Sequence, residues 1–210
     1  MTIMKSSDAR SRSSKRSALA AAASVTVVAL TVGLPAAGAQ VIPPPVPVNL
    51  EVEYGNTPFL VAHAEGTQNY VCLHAPGGFA WTFFGPQATL FDDADQQLIT
   101  HFLSANPDEN GTARATWQDS RDSSAVWARA VATSSDPAYV VPGSIPWLLL
   151  QVVGAENGPT GGASLSTTTF IQRVNTTGGV APPADACARA MDIGKKALVP
   201  YTADYVFYKK

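Results

Sequence analysis

The chain has 210 residues, 46% of them hydrophobic and 14% charged, with a formal charge of −2. That length and apolar share suit one globular domain with a sizeable core. With the basic leader described next set aside, nine basic and fifteen acidic residues remain, a charge of −6, which argues against nucleic acid and anionic membrane surfaces as partners.

Residues 1–39 read as a secretory signal peptide. Lys5, Arg10, Arg12, Lys15 and Arg16 form a positive start, and ALAAAASVTVVALTV (Ala18 to Val32) is an uncharged apolar run. Pro35 breaks that run, and Ala37-Gly38-Ala39 supplies the small residues a signal peptidase accepts, so cleavage is predicted after Ala39. The apolar run is short for a bilayer span of about 20 residues. No further apolar helix follows it, so no membrane span is expected in the mature chain. The protein is therefore expected outside the cytoplasm.

Residues 40–56 open with QVIPPPVPVNL, whose four prolines in eleven residues favour an extended lead over a packed element. Residues 57–210 form the predicted domain. Short strand-like runs follow one another: Tyr70 to His74, Phe79 to Phe84, Ala88 to Phe91, Leu98 to Leu103, Thr112 to Trp117, Ala125 to Val131, Ile145 to Val153, Leu165 to Val174, and Tyr201 to Tyr208. Gly, Pro and Asp separate them. Eight to ten strands at this spacing predict an all-β fold, a single compact antiparallel sandwich or barrel. IPWLLLQVV is apolar on both alternations and should be covered on both sides. LSTTTFIQRV alternates, with Leu165, Ile171 and Arg173 on one face and Phe170, Gln172 and Val174 on the other, so one side should be half-wet. The single helix candidate is PADACARAM, Pro183 to Met191, helped by its alanines and by proline at its start.

Taken together, GTQNYVC, PQATLFDD, the His101-Phe102 pair, ATWQDSRDSSAVW, IPWLLL, FIQRVNTTGGVAP and VPYTADYVFY resemble the family known as domain of unknown function 3455. The resemblance runs from Leu60 to Tyr208. Members are typically exported proteins with one such domain and no established activity, so the resemblance implies an exported single-domain protein. The segment Ser104 to Thr116, SANPDENGTARAT, departs from the short Gly-Pro-rich link seen in many members. Some fungal members carry a malate dehydrogenase label. A dinucleotide-binding turn needs a Gly-x-Gly so that the backbone can approach the pyrophosphate, and no two glycines here are separated by one residue. No cofactor is expected.

The chain has two cysteines, Cys72 and Cys187. An exported protein meets an oxidising compartment, and an even count predicts a Cys72–Cys187 disulfide. His74 shares a strand face with Cys72, which leaves a Cys-His pair as the competing arrangement. His63, His74 and His101 form no His-x-His or His-x-x-x-His pair. A zinc site would need one histidine from each of three strands, with Glu65 or Asp92 assisting, and no metal is expected. Asp119 and Asp122 could act as a carboxylate pair for glycoside chemistry or as turn residues. Candidate ligand contacts are His101, Trp117, Asp122, Trp127 and Arg173: Asp122 and Arg173 to hold a polar group, the tryptophans to wall an apolar one. Two functions are therefore carried forward. One is a non-enzymatic binding or envelope-associated domain for a glycan or small molecule. The alternative is a secreted hydrolase acting on a glycan or an ester.

Overall fold

The structure, a computed structural model, describes residues 40–210, so the predicted signal peptide and its cleavage site lie outside it. The domain is eight antiparallel strands: β1 (Thr57–Ala75), β2 (Gly78–Phe91), β3 (Gln97–Asn106), β4 (Thr112–Asp119), β5 (Ala125–Ser134), β6 (Trp147–Glu156), β7 (Phe170–Gly178) and β8 (Lys196–Lys209). Each strand pairs with its sequence neighbours, and β8 returns to pair with β1 along nearly its whole length. The fold is all-β as expected, and of the two architectures left open it is the closed barrel. Closure leaves the sheet without a free first or last strand, although β2 with β3 and β4 with β5 pair over only part of their length.

In an antiparallel meander the connections alternate between the two ends. One end carries the β1–β2, β3–β4, β5–β6 and β7–β8 connections, and will be called upper. The lower end carries β2–β3, β4–β5 and β6–β7. Period-2 alternation sends Ala62 and Ala64 of β1, Leu90 of β2, Ile99 of β3, Val126 of β5, Ile171 of β7 and Phe207 of β8 into the lower half of the interior, where all are buried. Leu165, from the β6–β7 loop, is fully buried in the same cluster and stoppers this end. Alanines on β1, β2 and β5 face Tyr201, Tyr205 and Phe207 on β8, the small-against-large matching that fills a narrow barrel. Gly66 on β1 belongs to this matching. A Cβ there would collide with the backbone of Gln87 and Ala88 on β2, so only glycine lets the strands approach so closely.

A second apolar layer lies on the outside of β6, β7 and β8. Trp147, Leu149, Phe170, Val174, Val206 and Tyr208 project outward there and are covered by Leu50, with Val46 and Val52 packed alongside. The proline-rich lead, which carries a 3-10 turn over Val48–Leu50, is a docked strap. Leu50 is fully buried, its carbonyl accepts from Gln172 Nε2 at 2.7 Å, and Tyr208 Oη donates to Gln172 Oε1 at 2.6 Å. This explains why IPWLLL is apolar on both alternations: Leu148 and Leu150 face the interior, while Trp147 and Leu149 face the strap. It also corrects the half-wet reading of β7. Phe170, Gln172 and Val174 are buried beneath the strap.

Two local expectations also change. β7 begins at Phe170 rather than Leu165, because the preceding residues close a turn in which the Thr168 amide and hydroxyl both bond the Leu165 carbonyl. The helix expected over Pro183 to Met191 is instead two short 3-10 turns, Ala184–Cys187 and Ala190–Asp192. Buried Asp192 organises that segment by accepting from the Ala188 and Arg189 amides and from Lys195. The predicted disulfide is present. Cys72 on β1 is bonded to Cys187, with Cα atoms 5.6 Å apart, and ties the β7–β8 connection to the tall β1–β2 hairpin. A disulfide fits an oxidising compartment. No helix among the described residues is long and apolar enough to cross a membrane.

Candidate functional site in the upper barrel

The upper half of the barrel is not filled. Packing around the interior leaves a cup of about 240 Å³. Its floor is Trp117, His101, Tyr205 and Leu150, all buried, and its rim includes the exposed side chains of Phe83 and Leu103. The wall is open here because neighbouring strands part. β2 and β3 pair only from Ala88–His101 to Phe91–Gln97, and β4 and β5 only over Ala115–Gln118 with Ala125–Ala128. A second hollow, between β2 and β3, shares Pro86, His101 and Leu103 with the cup.

The walls are mostly apolar, and the buried side-chain atoms left without a hydrogen-bond partner in the lining are donors. Arg173 reaches the inner wall from β7, between Leu148 of β6 and Tyr205 of β8 in the register. Its Nη2 donates to the Pro146 carbonyl at 2.8 Å, and its buried Nε has no hydrogen-bond partner. Trp117 Nε1 and Gln68 Nε2 are also buried and unpartnered. Three side chains lining one cup thus each hold a desolvated N–H without a well-formed hydrogen bond, although Gln68 lies near the Tyr201 hydroxyl and Arg173 near that of Tyr205. This condition costs free energy unless an acceptor completes it.

His101 is a different kind of group. It stacks on Trp117 with ring centroids 4.2 Å apart, and Tyr205 meets it edge-on at 5.2 Å. Its Nδ1 lies 2.8 Å from the Thr116 carbonyl. A carbonyl can only accept, so Nδ1 carries the proton and Nε2 is bare. Burial, helped by the Arg173 charge, holds the imidazole down at about 3 although the Thr116 bond works the other way. His101 is therefore neutral at any ordinary pH. Burial likewise raises the Tyr205 phenol.

The charge balance of the cup is positive. Arg114 at the rim is neutralised by Glu109 through two bonds of 2.7 Å, and that guanidinium, with Asn106, lowers Glu109 to about 2. Arg173 has no acidic partner among the described residues, and no carboxylate lines the cup. The Glu109–Arg114 clamp lies within the Ser104 to Thr116 segment.

Of the five residues expected from sequence, the structure brings three together. His101, Trp117 and Arg173 line the cup. Asp122 sits in the β4–β5 loop at the lower end, its two oxygens taken by the amides of Ser124 (2.8 Å) and Ser164 (2.9 Å); the Ser124 side chain, and then the Ser164 amide, hold its carboxyl well below the usual range. Asp119 caps the same turn by accepting from the Arg121 and Asp122 amides. Trp127 points outward and donates to Ser104 Oγ at 2.8 Å. Sequence reading missed Gln68 and Tyr205. The inward alternation Ala62, Ala64, Gly66, Gln68 on β1 and Tyr201, Ala203, Tyr205, Phe207 on β8 carries the signal for both. His63 lies outside the barrel between Asp204 (2.7 Å) and Asp93 (2.9 Å). His74 packs on Phe79 at the tip of the β1–β2 hairpin. No group of three or more His, Cys, Asp or Glu side chains among the described residues is placed to hold a metal ion.

Against known proteins, the family described as Protein of unknown function (DUF3455) matches residues 54–209. No curated protein and no solved structure matches the chain.

Proposed function

The chain belongs to the DUF3455 family, and we propose that it is an exported, non-enzymatic binding protein whose small-molecule ligand lodges in the upper cup of the barrel. The observation that carries this reading is the coincidence of a cup of about 240 Å³ with three buried, unpartnered donors in its lining. An eight-stranded barrel is just wide enough to be filled by side chains or to hold one small ligand. Here the lower half takes the first course and the upper half leaves room for the second. At an interior packing density of about 0.75 such a cup holds on the order of ten non-hydrogen atoms.

Hydrolysis finds less support. It needs a nucleophile beside a base, or two ionisable groups matched as acid and base. His101 is held neutral by burial, arginine does not give up its proton in proteins, and Asp119 with Asp122 serves the turn at the opposite end. A sugar would also leave hydroxyls facing the apolar walls without partners, which is costly.

The test is to fill the cup. Ala128 is buried on the inner face of β5 and lines it. Ala128→Met should keep the fold by circular dichroism while abolishing the quenching of tryptophan fluorescence produced in the parent by ligands of on the order of ten non-hydrogen atoms, such as octan-1-ol and octanoate. Equal binding by parent and filled variant would place the ligand site elsewhere.

A further inference from the structure

We infer that the cup selects a monocarboxylate with an apolar body, the carboxylate lying against Arg173. This rests on the interior-site reading above and adds the class of ligand. Three observations lead to it. First, the unpartnered groups at Arg173 Nε, Trp117 Nε1 and Gln68 Nε2 are all donors, so the matching ligand group is an acceptor with several lone pairs. A carboxylate has two oxygens that accept, and a planar guanidinium fits it better than any other side chain does. Second, the charge is unbalanced. Glu109 neutralises Arg114 at the rim, but nothing acidic among the described residues neutralises Arg173. A protein otherwise rich in acid thus carries one uncompensated cation inside an apolar cavity, where the field is weakly screened. Third, most of the remaining wall is apolar, with Leu103, Leu148 and Leu150 among its lining. That favours an alkyl or aryl body over a polar one.

The charge rules against other classes. An amine would meet Arg173 with like charge. A phosphate monoester brings up to two charges to a site with one uncompensated cation. A neutral alcohol can accept from two donors at most, leaves a third unpaired, and brings no charge to balance Arg173.

Calorimetric titration of the exported protein with octanoate, 3-phenylpropanoate, octan-1-ol and octylamine tests this. The acids should bind at least about 10-fold more tightly than the alcohol, by the worth of a charge-assisted bond, and the amine should not bind. Arg173→Met should weaken octanoate by about 10- to 100-fold and leave octanol unchanged or tighter. If Arg173→Met fails to fold, Trp117→Phe keeps an aromatic floor and removes one donor. It should then weaken octanoate by about 2- to 10-fold with no effect on octanol. Octanol binding as well as octanoate would overturn the carboxylate assignment and leave the interior site standing. Failure of every probe, with a crystal structure showing only water on the three donors, would overturn both. Octanoate affinity insensitive to both variants would also overturn the inference.

Discussion

Leu50→Ala tests whether the strap is part of the core. Leu50 is fully buried and touches the outer layer that includes Trp147, Leu149 and Val206. The lost transfer term is about 2–2.5 kcal/mol, at about 0.8 kcal/mol per carbon group removed. If the strap stays in place, a cavity remains and the cost rises to about 3–5 kcal/mol. If the strap sags into the gap, the cost stays near the lower figure. For a domain of this size each kcal/mol moves the midpoint by about 2–4 °C, so the melting temperature should fall by about 5–15 °C. Leu149→Ala, on the strand beneath, should cost a similar amount. The double variant should lose less than the sum, because both side chains border one cluster. The assays are urea unfolding followed by tryptophan fluorescence, and limited proteolysis of the lead. Leu50→Ala should also speed cleavage within residues 40–50, since docking protects that backbone. An unchanged urea midpoint with unchanged proteolysis would mean that the strap is a loose leader and that the outer face of β6 to β8 is covered by something else.

The exported protein should begin at Gln40 by intact mass and show no alkylatable thiol until reduced. Replacing both cysteines with alanine should cost about 2–5 kcal/mol, since the bond closes a long loop, and free thiols in the folded protein would refute the bridge. The histidines should separate in an NMR titration. His63, raised by its bonds to Asp204 and then Asp93, should titrate above 6.5, and buried His101 should stay neutral down to about 3. Because the folded pKa of His63 is raised, its contribution to stability is complete below its unfolded value and is lost as pH rises through the folded one. His63→Gln should therefore flatten the decline of melting temperature above about pH 6.5, and a decline that persists in the variant would remove His63 as its source.

Much of the fold was legible because strand signals are local. Alternation, turn residues and β-branched runs located every strand from Phe79 onward, although β2, one strand over Gly78–Phe91, reads in the sequence as two runs, Phe79 to Phe84 and Ala88 to Phe91. The double-sided apolar run over Trp147 to Leu150 announced a covered strand. What stayed hidden depended on long-range partners. β1 runs from Thr57, well before the predicted Tyr70, because Ala62, Ala64 and Gly66 are weak strand formers taken into the sheet by pairing with β8. The half-wet face of β7 could not be read as covered, because its cover is a proline-rich segment more than a hundred residues earlier in the chain. The alanines of Pro183 to Met191 favour helix, but the Cys72–Cys187 bond and buried Asp192 hold that segment in two short turns. Tertiary constraint overrides so short a helical preference.

The candidate site was half legible for a topological reason. Arg173 stands out as the one charged residue in its strand, and the inward face it shares with Ile171 follows from alternation alone. Pairing it with Asp122 required the two to lie at the same end of the barrel. In a closed antiparallel meander the β4–β5 loop and the β5–β6 connection lie at opposite ends, and β7 brings Arg173 up beside Pro146, which belongs to the β5–β6 connection. Asp122, in the β4–β5 loop, must then lie below. The same rule, once closure is known, gathers Gln68, His101, Trp117 and Tyr205 around Arg173, since all are inward residues lining one cup. Closure is decided by the pairing of β8 with β1, a contact between the two ends of the domain that no local window of sequence contains. The donors of the cup therefore look unrelated along the chain and become one site only when the barrel closes.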